Sequence, residues 1–171
     1  MPNENTIRVL FFILRCSAAG TSSYLAAAAL GLPHPNWATL SALIVSQETL
    51  GDTTRALVWR LIGSFIGVAM AIAIDWILTP LSADVAMQLA VGLAICAAIA
   101  RGRPGLRVCM WTFAIVILTR VQPDSVAMTG FFRGAEVVLG ALIGFGFHQL
   151  TALVVNRLIL PRLRRYSGSD R

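Results

Sequence analysis

Apolar residues dominate the chain in long runs that proline, glycine or charge interrupts at short intervals. From Cys16 to Gln47 no Arg, Asp or Glu occurs, and 61–74, 85–100 and 137–156 likewise lack them and carry a single histidine, His148. Runs of this length match membrane-spanning helices, each of which takes about 20 apolar residues. The breakers Pro33 and Pro35, Gly51, Pro80, Pro104 with Gly105, and Pro123 divide them into six segments: 7–32, 36–50, 55–78, 83–100, 106–121 and 130–160. The pattern predicts an all-α integral membrane protein with six transmembrane helices. They form a single domain, 1–171, ending in a short basic tail.

Composition agrees, with 57% of residues hydrophobic and 13% charged, where soluble domains carry about 25% charged residues. All 14 basic residues are Arg, against 8 Asp and Glu, for a net charge of +6. A basic chain invites nucleic acid. Here several arginines stand inside or at the ends of apolar runs, so an anionic solute or anionic lipid is the expected partner, and nucleic acid is not.

Six crossings place Arg8, Arg55, Arg60, Arg101, Arg103, Arg107 and the arginines after 156 on one side and Arg120 alone on the other, with Arg15 and Arg133 inside helices. By the positive-inside rule both termini are cytoplasmic. Four arginines among residues 157–165 form a stop-transfer signal and suit contact with an anionic inner leaflet. The polar residues 1–6 lack the basic start of a cleavable leader, so the first segment is expected to stay as a helix. Cys16, Cys96 and Cys109 have neither CxxC nor Cys/His spacing and read as free buried thiols.

The order of features repeats. The second segment carries Trp37-Ala-Thr-Leu-Ser-Ala-Leu-Ile-Val, and the fifth carries Trp111-Thr-Phe-Ala-Ile-Val-Ile-Leu-Thr 74 residues later. Leu61-Ile-Gly-Ser-Phe-Ile-Gly67 in the third segment is matched by Val138-Leu-Gly-Ala-Leu-Ile-Gly144 in the sixth, 77 residues later. Units of three helices enter the membrane from opposite sides, so the expected architecture is two inverted three-helix repeats. The short, proline-bounded second and fifth helices would then flank a site near the midplane.

Gly31-Leu-Pro-His-Pro-Asn-Trp37 leading into Ala38-Thr-Leu-Ser-Ala-Leu-Ile-Val-Ser-Gln47, then Arg60-Leu-Ile-Gly-Ser-Phe-Ile-Gly67, then Arg133 and Glu136 before Gly140, resembles the fusaric-acid-resistance-like family. That family supplies the membrane half of aromatic acid exporters, and the likeness covers about residues 8–160. The resemblance implies a six-helix unit of the bacterial inner membrane that exports small organic anions such as aromatic carboxylic acids. Larger members duplicate the unit, so a homodimer is the expected assembly, with the glycine ridges of the third and sixth helices as packing surfaces. A more distant likeness to the aluminium-activated malate channels keeps passive anion conduction as the alternative. A non-transporting scaffold is a further one.

Charges within a bilayer mark functional candidates. Arg15, Arg60 and Arg133 are the expected anion ligands, because guanidinium binds carboxylate bidentately. Arg15 also has the bland reading of snorkelling to the interface, and Arg60 that of an interfacial anchor on one stripe with Gly63, Gly67 and Ala71. Trp37 and Trp111 could stack on an aromatic substrate or simply join the aromatic belt. Glu136, Glu48 and His148 are candidates for proton coupling. Arg133 and Glu136, three residues apart, are expected to share a helix face as an ion pair. For Glu48 the competing reading is local pairing near Arg55, and for His148 it is a packing histidine. No metal-ligand spacing, nucleotide-binding glycine motif or catalytic triad appears, so neither enzyme activity nor a cofactor is expected.

Overall fold

The computed structural model describes residues 4–120, 125–155 and 157, and within them the chain is helical apart from its connections. The helices are α1 (Glu4–Ala29), α2 (Pro35–Val45), α3 (Leu50–Leu78), α4 (Val85–Ala100), α5 (Val108–Leu118) and α6 (Val126–Val154). Single 3-10 turns at Thr79–Leu81 and Pro104–Arg107 lead into α4 and α5. The arginine-rich tail after Arg157 and the breaker Pro123 lie outside the described residues.

Local chemistry sets the ends. α1 stops before Gly31, which adopts φ +69°, and α2 starts on Pro35, whose missing N–H is no loss in a first turn. α2 ends at Val45 instead of running to 50, and α3 begins at Leu50 instead of 55. The reason is a reciprocal cap: Thr49 accepts from the Asp52 N–H, and its hydroxyl donates to the Asp52 carboxylate at 2.6 Å. That cap draws Gly51 into the first turn of α3, so the glycine does not break the helix. α6 likewise begins at Val126, ahead of the expected 130, because Ser125 accepts from the Met128 N–H.

Two parallel helix pairs organise the bundle. α2 lies along the middle of α6: His34 meets Glu136, Ala38 meets Gly140 and Ala42 meets Gly144, one turn apart at constant register. A Cβ on Gly140 would run into the Ala38 carbonyl, so only glycine permits the approach. α5 lies along α3 in the same way, with Gly63 against Val108 and Gly67 against Thr112. α1 packs on α2 and α6, α4 packs on α5 and α3, and α3 and α6 cross at the centre. The glycine ridges expected to join two copies are therefore consumed inside one chain.

Arg8–Ala29, Leu50–Leu81 and Val126–Val154 are long and apolar enough to cross a membrane, while α4 and Pro104–Leu118 are apolar but shorter. Large apolar side chains such as Trp76, Leu81 and Phe131 point outward, as a lipid-facing surface requires. Small and polar residues concentrate within, among them Ser41, Thr53, Ser64 and Thr112.

Candidate functional site

α2 starts deep. Its first turn stands level with Glu136, roughly 15 Å along α6 from that helix's start. On the face of α2 that meets its neighbours, Trp37 and Ser41 stand one turn apart, and each receives an arginine from a different helix. Arg133 of α6 places its guanidinium carbon 3.7 Å from the centre of the Trp37 ring. Arg60 of α3 donates from Nη2 to the Ser41 hydroxyl at 3.1 Å. The two guanidiniums are within electrostatic range of one another.

Glu136, only 1% exposed, accepts the backbone N–H of His34 at 2.8 Å. It makes no salt bridge to Arg133 among the described residues, so the expected pair is divided between two partners on α2. The cluster holds two guanidiniums and one carboxyl group, all buried. Nε of Arg60, Nε and Nη1 of Arg133, and Oε2 of Glu136 have no hydrogen-bond partner. Buried donors in that state are unusual and call for an acceptor, which an anion or a water molecule supplies.

A cavity of about 650 Å³ leads toward this cluster. Its wall carries the exposed Arg55 and Arg103, the buried Arg60, Trp59 and a single acid, Asp52. The cavity opens at the end of the bundle that bears the arginine-rich turns.

Arg15 and His148 belong to a second cluster. Arg15 Nη1 lies 2.9 Å from His148 Nδ1, which also faces the Thr53 hydroxyl at 2.7 Å. Arg15 Nη2 donates to the Gln47 carbonyl. Arginine only donates, so Nδ1 must accept, a role that a neutral imidazole plays and imidazolium does not. The cluster ties α1, the α2–α3 turn and α6 together. Glu48 is exposed in that turn and lines a separate cavity of about 590 Å³ with Arg8, Arg15 and His148. Trp111 is 69% exposed. The structure thus brings together Trp37, Arg60, Arg133 and Glu136, and leaves Arg15, His148, Glu48 and Trp111 elsewhere.

The family model for fusaric acid resistance protein-like proteins matches residues 21–147. The chain belongs to that family. No protein of curated function and no solved structure is significantly similar to it. The matched segment holds every member of the buried cluster, from His34 to Glu136, and all six helices in whole or part. Family membership and the apolar helices make this a membrane protein with a transport-related role.

Sequence reasoning did not find Ser41, Thr53, Gln47 or the His34 N–H. Ser41 follows Trp37 by one helical turn and was in principle findable from that spacing. A backbone donor has no sequence signature. Nor does the Asp75–Arg120 ion pair, 2.7 Å long, which joins the last turn of α3 to the residues after α5.

Proposed function

We propose that this protein carries small organic anions, aromatic carboxylates in particular, out of the cytoplasm across a bacterial inner membrane. The observation that carries the reading is the electropositive cavity running from Arg55 and Arg103 to Arg60, with Arg133 beside it. Arginines at an aqueous mouth concentrate anions, and buried guanidiniums with unused donors bind carboxylate through two parallel hydrogen bonds. A scaffold needs packing glycines but has no use for such donors.

In this reading six helices cross, with α2 and α5 as short central elements, and both termini are cytoplasmic. The cavity then opens to the cytoplasm, the loading side of an exporter. The packing supports an inverted repeat, because exchanging α1, α2, α3 for α4, α5, α6 maps each principal contact onto another: α2 on α6 onto α5 on α3, and α1 on α2 onto α4 on α5. Matching Ala38–Gly140 with Thr112–Gly67 sets the spacing at 73 to 74 residues. That register aligns Arg60 with Arg133, which the 77-residue spacing read from the glycines alone did not. Two copies would restore the two-unit assembly of larger relatives, and the basic tail would meet anionic lipid.

Reconstitution tests the reading. Liposomes containing the protein should release radiolabelled benzoate or salicylate faster than empty ones, and Arg60→Ala and Arg133→Ala should abolish the difference. Absence of flux for every carboxylate in a panel would leave the scaffold. Macroscopic anion currents would establish the channel.

A further inference from the structure

In the 73-residue register, the residue three positions after each central arginine differs between the halves. It is Gly63 after Arg60 and Glu136 after Arg133. The surroundings of the two arginines differ accordingly. Arg60 lines the open cavity. Arg133, 4% exposed, lies under the Trp37 ring with two donors unpartnered.

The connection between α1 and α2 explains how that closure is held. His34 supplies no side-chain cap to α2, and Pro35 supplies no N–H. The bonds of Gly31 and Leu32 run back to α1, and the Trp37 N–H returns to His34. Among the described residues, the one hydrogen bond from this turn to α6 is His34 N–H to Glu136. The corresponding turn before α5 rests on the opposite kind of contact, Gly63 against the Val108 side chain and Gly105 against the Trp59 ring, with no hydrogen bond from that turn to α3 among the described residues.

We propose that Glu136 is a strap that shuts the anion site from the end of the bundle bearing Asp75 and Arg120. Its carboxylate holds the first turn of α2 against α6, which keeps Trp37 stacked over Arg133. When the His34 bond is released, the turn and Trp37 swing away and Arg133 faces that end. Gly63 provides no such strap in the other half, where Arg60, itself buried, lines the cavity at the arginine-rich end. The proposal rests on the reading of Arg60 and Arg133 as the anion site and adds how one side of that site is closed.

Cysteine accessibility tests the strap without requiring transport. In a background lacking Cys16, Cys96 and Cys109, a Ser41→Cys reporter beneath Trp37 is exposed to a membrane-impermeant thiol reagent from the Asp75 side. Glu136→Ala should raise the labelling rate several-fold to about tenfold, the population shift that follows from losing the one hydrogen bond that ties this turn to α6. Glu136→Gln keeps an acceptor for the His34 N–H and should label near the parent rate. Equal labelling of Glu136→Ala and the parent overturns the strap, as does Glu136→Gln labelling as fast as Glu136→Ala.

If Glu136→Ala fails to fold, a His34→Cys, Glu136→Cys pair replaces it. Oxidation to the disulfide should block benzoate flux and reduction should restore that variant's flux, while undiminished flux in the oxidised pair overturns the proposal. If the parent protein moves no carboxylate at all, the anion reading fails, and the labelling rates still decide the strap.

Discussion

Arg133 stacks on Trp37, 3.7 Å from guanidinium carbon to ring centre, and not against Glu136 on its own helix. The relationship changes what either residue can do. An arginine tied to a carboxylate is neutralised, whereas one lying on an indole keeps its charge and its edge donors for a ligand. Glu136 is free in turn to cap another helix.

Removing Trp37 should therefore harm both stability and anion handling. Trp37→Ala is expected to lower stability by about 1–2 kcal/mol from the lost cation–π contact alone, with Trp37→Phe recovering part of it. Thermal unfolding in detergent and benzoate flux measured on the same samples check this together. A Trp37→Ala protein as stable and active as the parent would contradict it.

Arg133→Lys should transport weakly and Arg133→Ala not at all. An ammonium replaces the charge but not the planar fork that holds a carboxylate by two bonds. Full activity in Arg133→Lys, measured by flux, would mean that charge alone is recognised. At the cavity mouth the outcome should differ: Arg103→Ala should slow flux modestly, and the deficit should shrink as salt rises, because exposed charge is screened within about 10 Å at 0.1 M.

Glycines in α6 should divide sharply. Gly140→Ala forces a Cβ into the Ala38 carbonyl and should unfold the protein or greatly reduce its yield. Gly146→Ala meets nothing within 4 Å and should be neutral, or stabilising by up to about 1 kcal/mol, because alanine is the better helix former. Melting temperatures of the two variants measure the contrast.

The Arg15–His148 latch should be structural. Arg15→Ala leaves His148 Nδ1 without its arginine donor and the Gln47 carbonyl without this one, an expected loss of about 1–3 kcal/mol. The effect should appear in thermal unfolding, with substrate affinity unchanged. A large change in affinity at constant stability would instead return Arg15 to the anion site.

Topology is open to direct labelling. Cysteines replacing Ser82, in the turn before α4, and Gly102, in the turn after it, should react from opposite faces of the membrane, with Gly102 on the cytoplasmic face. Reaction of both from one face would rule out an α4 crossing.

What the sequence determined by itself was the class of protein and the list of unusual residues. The longest of the uncharged runs read as membrane helices, in which each backbone N–H and C=O finds its partner within the segment. Arginines and a glutamate inside those runs are conspicuous on sight, since burying a charge needs a reason. The resemblance carried by Pro35-Asn-Trp37 and Arg60 to Gly67 named the family that residues 21–147 match.

The tertiary structure decided how the residues combine. Helix periodicity placed Arg133 beside Glu136, but the deep start of α2 offered each a better partner across the helix interface, an aromatic face for the cation and a backbone N–H for the anion. Periodicity likewise marked the ridges Gly63–Gly67 and Gly140–Gly144 without saying what they meet. Only the packing assigned them to α5 and α2 within the same chain. Helix ends followed the same division: Gly51 looks like a breaker in isolation, yet the Thr49–Asp52 cap carries α3 through it. Spacing along one helix fixes which side chains are neighbours on it, while the choice of partner is made by whichever second helix comes near enough to satisfy a buried polar group.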